Sequence, residues 1–189
     1  MTRSLFVTRV YETDVVDGDL LERLGHSIRT LAHDDEAGRR WAKEHRYPGY
    51  TSYASLNDLP RRDPDFAELS KILTGHAVRF AKECGFDRKP KVDSMWVNLL
   101  KSGGHHSGHI HPQSIISGAF YVEVPNGSGP IRFEDPRLPL MMAAPPRPDS
   151  FVNVEPRPGL LLMWESWLRH EVLPGAGKGE RLSISFNFA

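Results

Sequence analysis

The chain has a single cysteine, Cys84, among its 189 residues. An internal disulfide is therefore excluded, as is any zinc or iron–sulfur site built on cysteine. One free thiol suits a reducing compartment, and the protein reads as cytoplasmic. Long apolar runs are also missing. No stretch approaches the ~20 residues of a membrane span, and MTRSLFVTRVYETD at the N-terminus carries Arg and acids where a signal peptide carries an apolar core. Neither charge is in excess, since Lys plus Arg and Asp plus Glu both number 24. The basic footprint of a nucleic-acid binder is thus absent, and so is a polybasic membrane patch. A small anion is still admissible, because one arginine can hold it. Internal repeats and low-complexity tracts do not occur.

Histidine is what the sequence does have. There are nine, and His105, His106, His109 and His111 fall within seven positions of one another. The cluster is internal, so it is not a purification tag.

The length suits one domain with one core, expected over residues 1–189 with a helical layer at 1–90 and a β core at 91–189. Leu20, Leu21, Leu24, Ile28 and Leu31 recur at helical spacing, with Asp14 or Asp17 as N-cap. Phe66, Leu69, Ile72, Leu73, Ala77 and Phe80 do the same between Asp63-Pro64 and Gly85. The intervening HRYPGYTSYASLNDLP reads as irregular structure. From Val92 onward short apolar runs alternate with Gly/Pro turns: SMWVNLL, SIISGAFYVEV, GPIRFED, SFVNV, GLLLMW, LRHEVL and RLSISFNF. Strands at this spacing predict an all-β sandwich or barrel, a jelly roll packed on the N-terminal helices. RLSISFNFA alternates as a half-buried strand does. The Pro- and Met-bearing segment from Leu138 to Ser150 reads as a long loop bordering the site. Trp96, Phe120, Tyr121, Phe133, Trp164 and Phe186 are expected in the core or a pocket wall, Gly118 at a close approach or bulge, and Cys84 buried.

Two constellations carry chemistry. In GGHHSGHIHP, an extended chain puts His109 and His111 on one face, and Pro112 holds His111 toward extended geometry. Two imidazoles on one face can grip a metal ion, and iron, zinc, copper and nickel all suit them. His105 and His106 read as exposed loop residues that bind nothing. In GLLLMWESWLRHEVLPGAGKGERLSISFNF, His170 lies between two strand-like runs, and Arg181 and Ser183 share one strand face. A guanidinium forks onto a carboxylate with two charge-assisted bonds, to which a neighbouring hydroxyl adds a third. If Arg181 points inward from an apolar strand, it needs an anionic partner.

A short-spaced pair beginning with His, a distal His, and Arg-x-Ser about ten residues on resemble the layout of the Fe(II)/2-oxoglutarate-dependent oxygenases. MWVNLL, HIHPQSIISGAFYVEVP, GPIRFEDPR and ESWLRHEVLP are similar to a bacterial group within that superfamily, as are LFVTRVYE and GYTSYASLNDL. The resemblance spans nearly the whole chain. It implies a double-stranded β-helix, the cupin-like jelly roll. It also implies an enzyme that uses Fe(II), 2-oxoglutarate and dioxygen to hydroxylate a small molecule, an amino-acid side chain or a peptide. His109 and His170 then match the two metal histidines, and Arg181 with Ser183 matches the pair on the far carboxylate of 2-oxoglutarate. Asn98 would face the same pocket and bond co-substrate or substrate. One position departs from the pattern: the superfamily has Asp or Glu where this chain has His111. Either three histidines hold the metal or a carboxylate elsewhere, Glu134 or Asp135, completes the set. The alternatives to the oxygenase reading are a three-His cupin-like enzyme that needs no 2-oxoglutarate and a jelly roll that binds metal or ligand without catalysis.

Overall fold

Capping and apolar spacing set the helices. The computed structural model describes residues 1–189, beginning with strand β1 (Val10–Asp14) and helix α1 (Gly18–Asp34). Asp17 caps α1 by accepting a hydrogen bond from the Leu20 amide at 3.0 Å. Leu20, Leu24 and Ile28 form its buried stripe. Helix α2 (Glu36–Glu44) follows, then β2 (Gly49–Thr51), a 3₁₀ turn at Leu59–Arg61, and helix α3 (Pro64–Cys84). Asp63 caps α3, Pro64 opens it, and Gly85 ends it with a left-handed φ of 81° that a side chain would resist. Phe66, Leu69, Leu73, Ala77 and Phe80 line its buried face.

The remaining strands are β3 (Val92–Leu100), β4 (His106–His109), β5 (Ile116–Glu123), β6 (Ile131–Glu134), β7 (Phe151–Val154), β8 (Leu160–Glu165), β9 (His170–Val172) and β10 (Arg181–Phe188). They form two antiparallel sheets, ordered β1-β8-β5-β10-β3-β2 and β4-β9-β6-β7. This is the double-stranded β-helix. The first ninety residues are more than a helical layer, because β1 and β2 supply both edges of the large sheet. No helix is long and apolar enough to cross a membrane.

The inner strands β8, β5 and β10 of the large sheet are buried on both faces, and strand alternation sorts their residues between two environments. On β10, Leu182, Ile184, Phe186 and Phe188 pack with α1 and α3 in one core. Arg181, Ser183, Ser185 and Asn187 face a cavity between the sheets. The alternating run RLSISFNF is therefore not half-exposed: it separates oil from a polar cavity rather than from water. Ala119, Tyr121, Ile131, Phe133, Leu160, Leu162, Trp164 and Leu168 fill the rest of the space between the sheets. Gly118 marks a close approach, since a Cβ there would lie 2.3 Å from Phe186 Cζ and 2.5 Å from the Leu162 carbonyl oxygen.

Several elements differ from the sequence reading, β2 and the start of the 3₁₀ turn within the stretch read as irregular among them. Helix α2 buries only Gly38 and Ala42, so no apolar stripe announces it. Strand β1 is an edge with one face open. The segment after β6 contains a short helix, α4 (Leu138–Ala143), with no buried residue.

Asp35 fixes α2 to the sheet. Its carboxylate accepts from the Gly38 amide at 2.9 Å, from Tyr50 Oη at 2.8 Å and from Ser55 Oγ. Burial alone would raise its pKa, but the hydrogen bonds together outweigh this and hold it below the usual carboxylate range. A depressed folded-state pKa means that the unfolded chain binds more protons, so this stabilisation is present at neutral pH and fades as pH falls through the folded value. Asp35→Ala is expected to lower stability by about 1–3 kcal/mol at pH 7. In denaturant titrations the gap from the parent protein should narrow below about pH 4, the ordinary range for Asp. A gap that stays constant with pH would dissociate the stabilisation from the carboxylate's charge.

Candidate metal centre and carboxylate pocket

The cavity between the sheets, about 340 Å³, holds all six candidate site residues: His109, His111, His170, Asn98, Arg181 and Ser183. Strand pairing builds the histidine cluster. His109 on β4 lies directly opposite His170 on β9, and His170 in turn opposes Phe133 on β6. Beyond the end of β4, the His111 amide donates to the Ser166 carbonyl at 3.0 Å and so keeps the chain against the strand approaching β9. Ring centroids are 4.4 Å apart for His109 and His170, 5.1 Å for His109 and His111, and 5.2 Å for His111 and His170. One nitrogen from each ring falls within 4.8 Å of the other two.

The backbone decides which nitrogens face one another. His109 Nδ1 bonds the Ser107 carbonyl at 2.7 Å and His170 Nδ1 bonds the Leu168 carbonyl at 2.9 Å. A carbonyl only accepts, so each Nδ1 carries the proton and each Nε2 keeps a lone pair. His111 Nε2 is buried without a partner. Burial pushes His170 down to about 3 and His111 to about 4, so both are neutral at physiological pH. Neutral imidazole is the form that binds a metal.

The alternative carboxylates are elsewhere. Glu134 Oε2 accepts from Arg169 Nε at 2.9 Å, and Asp135 accepts a two-pronged bond from Arg137 at 2.9 and 2.6 Å. Both line a second groove, formed with the N-terminal segment. The Leu138–Ser150 loop does not border the histidine cavity either. Its residues are absent from the lining, and Leu138, Met141 and Met142 face solvent, because the loop joins β6 to the edge strand β7 on the outer side of the small sheet.

At the closed end, Arg181 is 6% exposed and has no acidic partner. Its Nη1 donates to the Gly129 carbonyl at 3.0 Å, its Nε has no partner, and the guanidinium lies 5.2 Å from the centroid of the Tyr121 ring. Ser183 sits on the same strand face, in register with Asn98 on β3. Asn98 is already engaged: Oδ1 accepts from Thr51 Oγ1 at 2.9 Å and Tyr47 Oη at 3.3 Å, while Nδ2 donates to Ser185 Oγ at 2.9 Å. It lines the cavity with these bonds in place.

Several lining residues escaped the sequence reading, His106 and Tyr47 among them. His106 is not a bystander; its Nε2 bonds Tyr47 Oη at 2.6 Å, and burial pushes it down to about 3, with Arg181 adding to the shift. Regular alternation would put His106 and His109 on opposite faces, but a bulge between them turns both into the cavity. A Gly at position 108 was the one available hint. Tyr47 came from the stretch read as irregular, which gives no periodicity to follow.

Four buried side-chain atoms in the whole molecule lack a hydrogen-bond partner: His111 Nε2, Tyr121 Oη, Trp164 Nε1 and Arg181 Nε. All four residues line this one cavity. Buried polar groups are otherwise almost always paired, so the concentration marks a ligand site.

Comparison with known proteins agrees. The family described as "Putative 2OG-Fe(II) oxygenase" matches residues 94–187, the half of the chain that carries all six site residues. The chain belongs to the 2OG-Fe(II) oxygenases. No curated protein matches it in sequence. Among solved structures, a prolyl-4-hydroxylase from Pseudomonas putida is similar over 96% of this chain and 92% of its own, with 18% identity and a TM-score of 0.67. SnoK, a non-heme alpha-ketoglutarate-dependent carbocyclase from nogalamycin biosynthesis, gives 11% identity over 96% and 79%, with a TM-score of 0.71. HygX from Streptomyces hygroscopicus, solved with nickel and 2-oxoglutarate bound, gives 13% over 96% and 82%, with a TM-score of 0.62. At such identities the likeness is one of fold. Membership makes this oxygenase an enzyme that uses Fe(II) and 2-oxoglutarate, and its donor set fits both: three inward imidazoles for the ion, and a buried guanidinium lacking an anion for the keto acid.

Proposed function

We propose that His109, His111 and His170 hold Fe(II), and that Arg181 and Ser183 hold the far carboxylate of 2-oxoglutarate while the enzyme hydroxylates a small molecule or an amino-acid or peptide substrate in a cytoplasmic setting. The observation that carries this reading is the gathering of unpaired buried polar atoms, His111 Nε2 and Arg181 Nε above all, in one cavity. When bound, the iron with 2-oxoglutarate and dioxygen supplies the oxidising chemistry: the keto acid loses CO₂ to become succinate, and one oxygen atom enters a C–H bond of the substrate.

The protein's own work is position and exclusion of water. Ser107 and Leu168 carbonyls fix the tautomers of His109 and His170. Arg181 offers a charge-assisted fork at the closed end, and Ser183 a hydroxyl beside it. Tyr47 and His106 lie on the same side of the pocket and brace one another. No side chain is needed as a general base. A third imidazole in place of a carboxylate leaves the full charge of the ion uncompensated by its protein ligands, which favours a dianionic co-substrate.

Two predictions follow from this assignment. Arg181→Met should weaken 2-oxoglutarate binding by about 2–5 kcal/mol while leaving the stability of the ligand-free protein equal or higher, because it removes a buried charge that has no acidic partner. Calorimetry showing wild-type affinity for 2-oxoglutarate would rule the assignment out; a large loss of thermal stability would make Arg181 a structural residue instead. For the metal, anaerobic Fe(II) titration of His111→Ala should show an affinity loss beyond the about ten-fold to hundred-fold that removing a supporting partner costs. Glu134→Ala and Asp135→Ala should keep parental affinity. The reverse pattern would transfer the third ligand to a carboxylate.

A further inference from the structure

Resting on that assignment of the metal and the co-substrate, we propose that the group oxidised belongs to an uncharged molecule, an apolar or ring-bearing moiety with neither ammonium nor carboxylate, seated against the wall formed by Tyr53 and Trp96. The cavity lining contains no Asp, no Glu and no Lys, and its one charged side chain, Arg181, lies at the buried end. The mouth is made of Tyr53, Ile110 and Pro112, of which Tyr53 is 53% exposed and Ile110 48%. Tyr53 meets Trp96 edge to face, with centroids 5.1 Å apart and planes at 65°. Trp96 then stacks on His111 at 6.0 Å and 25°. An aromatic wall thus runs unbroken from solvent to a proposed metal ligand.

A charged group drawn into this space would shed its hydration and find no compensation. An ammonium meets no acid, and the fixed charges ahead of it are positive. A carboxylate has only Arg181, which the co-substrate claims. Aromatic faces can attract a cation when several open onto one point, but here Trp96 stacks toward His111 and meets Tyr53 edge to face. A free amino acid, carrying both charges, is therefore the wrong class. The cavity is near the lower end of the ~300–1,000 Å³ typical of ligand pockets. With 2-oxoglutarate inside, what is left suits a single ring. That ring could come from a free metabolite or from a residue within a blocked polypeptide; the neutral group is common to both.

The test uses the enzyme loaded anaerobically with Fe(II) and 2-oxoglutarate, with the charge-transfer band of the bound keto acid as the readout. Four probes share one ring: benzyl alcohol, N-acetyl-L-phenylalaninamide, benzylamine and benzoate. The tighter of the two neutral probes is expected to bind at least about ten-fold better than either charged one, and whichever neutral probe leads identifies a free or a backbone-borne source. Tyr53→Ala should weaken the leading neutral probe by about five-fold. Benzylamine or benzoate binding as well as the neutral probes, or no neutral probe perturbing the band, would overturn the proposal and leave the oxygenase assignment intact. Failure of the band to form at all would instead strike the assignment on which the proposal stands.

Discussion

A guanidinium buried without an acidic partner is the constraint around which this molecule is organised. Arg181 lies 5.2 Å from the centroid of the Tyr121 ring and donates to the Gly129 carbonyl, and neither neutralises it. An uncompensated charge in that position is tolerated only where the rest of the fold is stable enough to hold it. The fold meets that condition through β10, which lies in the middle of the six-stranded sheet with β3 on one side and β5 on the other. Every second residue of β10 anchors the helix-side core, so the polar residues between them have nowhere to go but inward. The same strand that stabilises the protein therefore presents its least stable feature to the cavity.

The histidine cluster depends on a different device. It sits at the end of the small sheet, where β4 and β9 pair only through His106–Val172 and His109–His170. So few ladder bonds would hold the rings loosely. Carbonyl groups of Ser107 and Leu168 restrain two rings from behind, and the His111 amide is tied to Ser166. Trp164, 4.5 Å from His170 between ring centroids, and Trp96 against His111 close the sides. The two ends of the cavity are thus set by separate sheets, and their spacing follows from how the apolar residues between them pack.

Much of this was legible in the sequence, for identifiable reasons. Helices α1 and α3 carry an apolar stripe and an acidic N-cap, and both appear within a few residues of where periodicity puts them. His109 and His111 one residue apart, and Arg181 and Ser183 likewise, speak directly about faces of extended chain, and the structure brings all four into one cavity. What escaped was governed by tertiary context. Helix α2 is nearly devoid of buried apolar residues and is held by Asp35 through Tyr50 and Ser55, contacts that have no local signature. His106 enters the cavity because of a bulge, and a bulge inverts the parity on which the face argument rests. The Leu138–Ser150 loop follows a strand that ends near His170, yet it turns outward to join an edge strand, and only the sheet order reveals that direction.

The proposed use of His111 where the wider superfamily has a carboxylate ties these threads together electrostatically. With a carboxylate ligand, the metal end would carry one negative charge from the protein to balance part of the ion. Here the lining contributes imidazoles at one end and the guanidinium of Arg181 at the other, with no acid between them. Under the proposed assignment the cavity would favour a dianion, and 2-oxoglutarate would offer one anionic end to each site. Iron and co-substrate would then depend on each other by charge as well as by contact. Bound together they would leave one positive charge in excess, facing a mouth lined by Tyr53, Ile110 and Pro112, which cannot screen it. A cationic partner is repelled there, and the aromatic wall supplies the attraction that a neutral one requires.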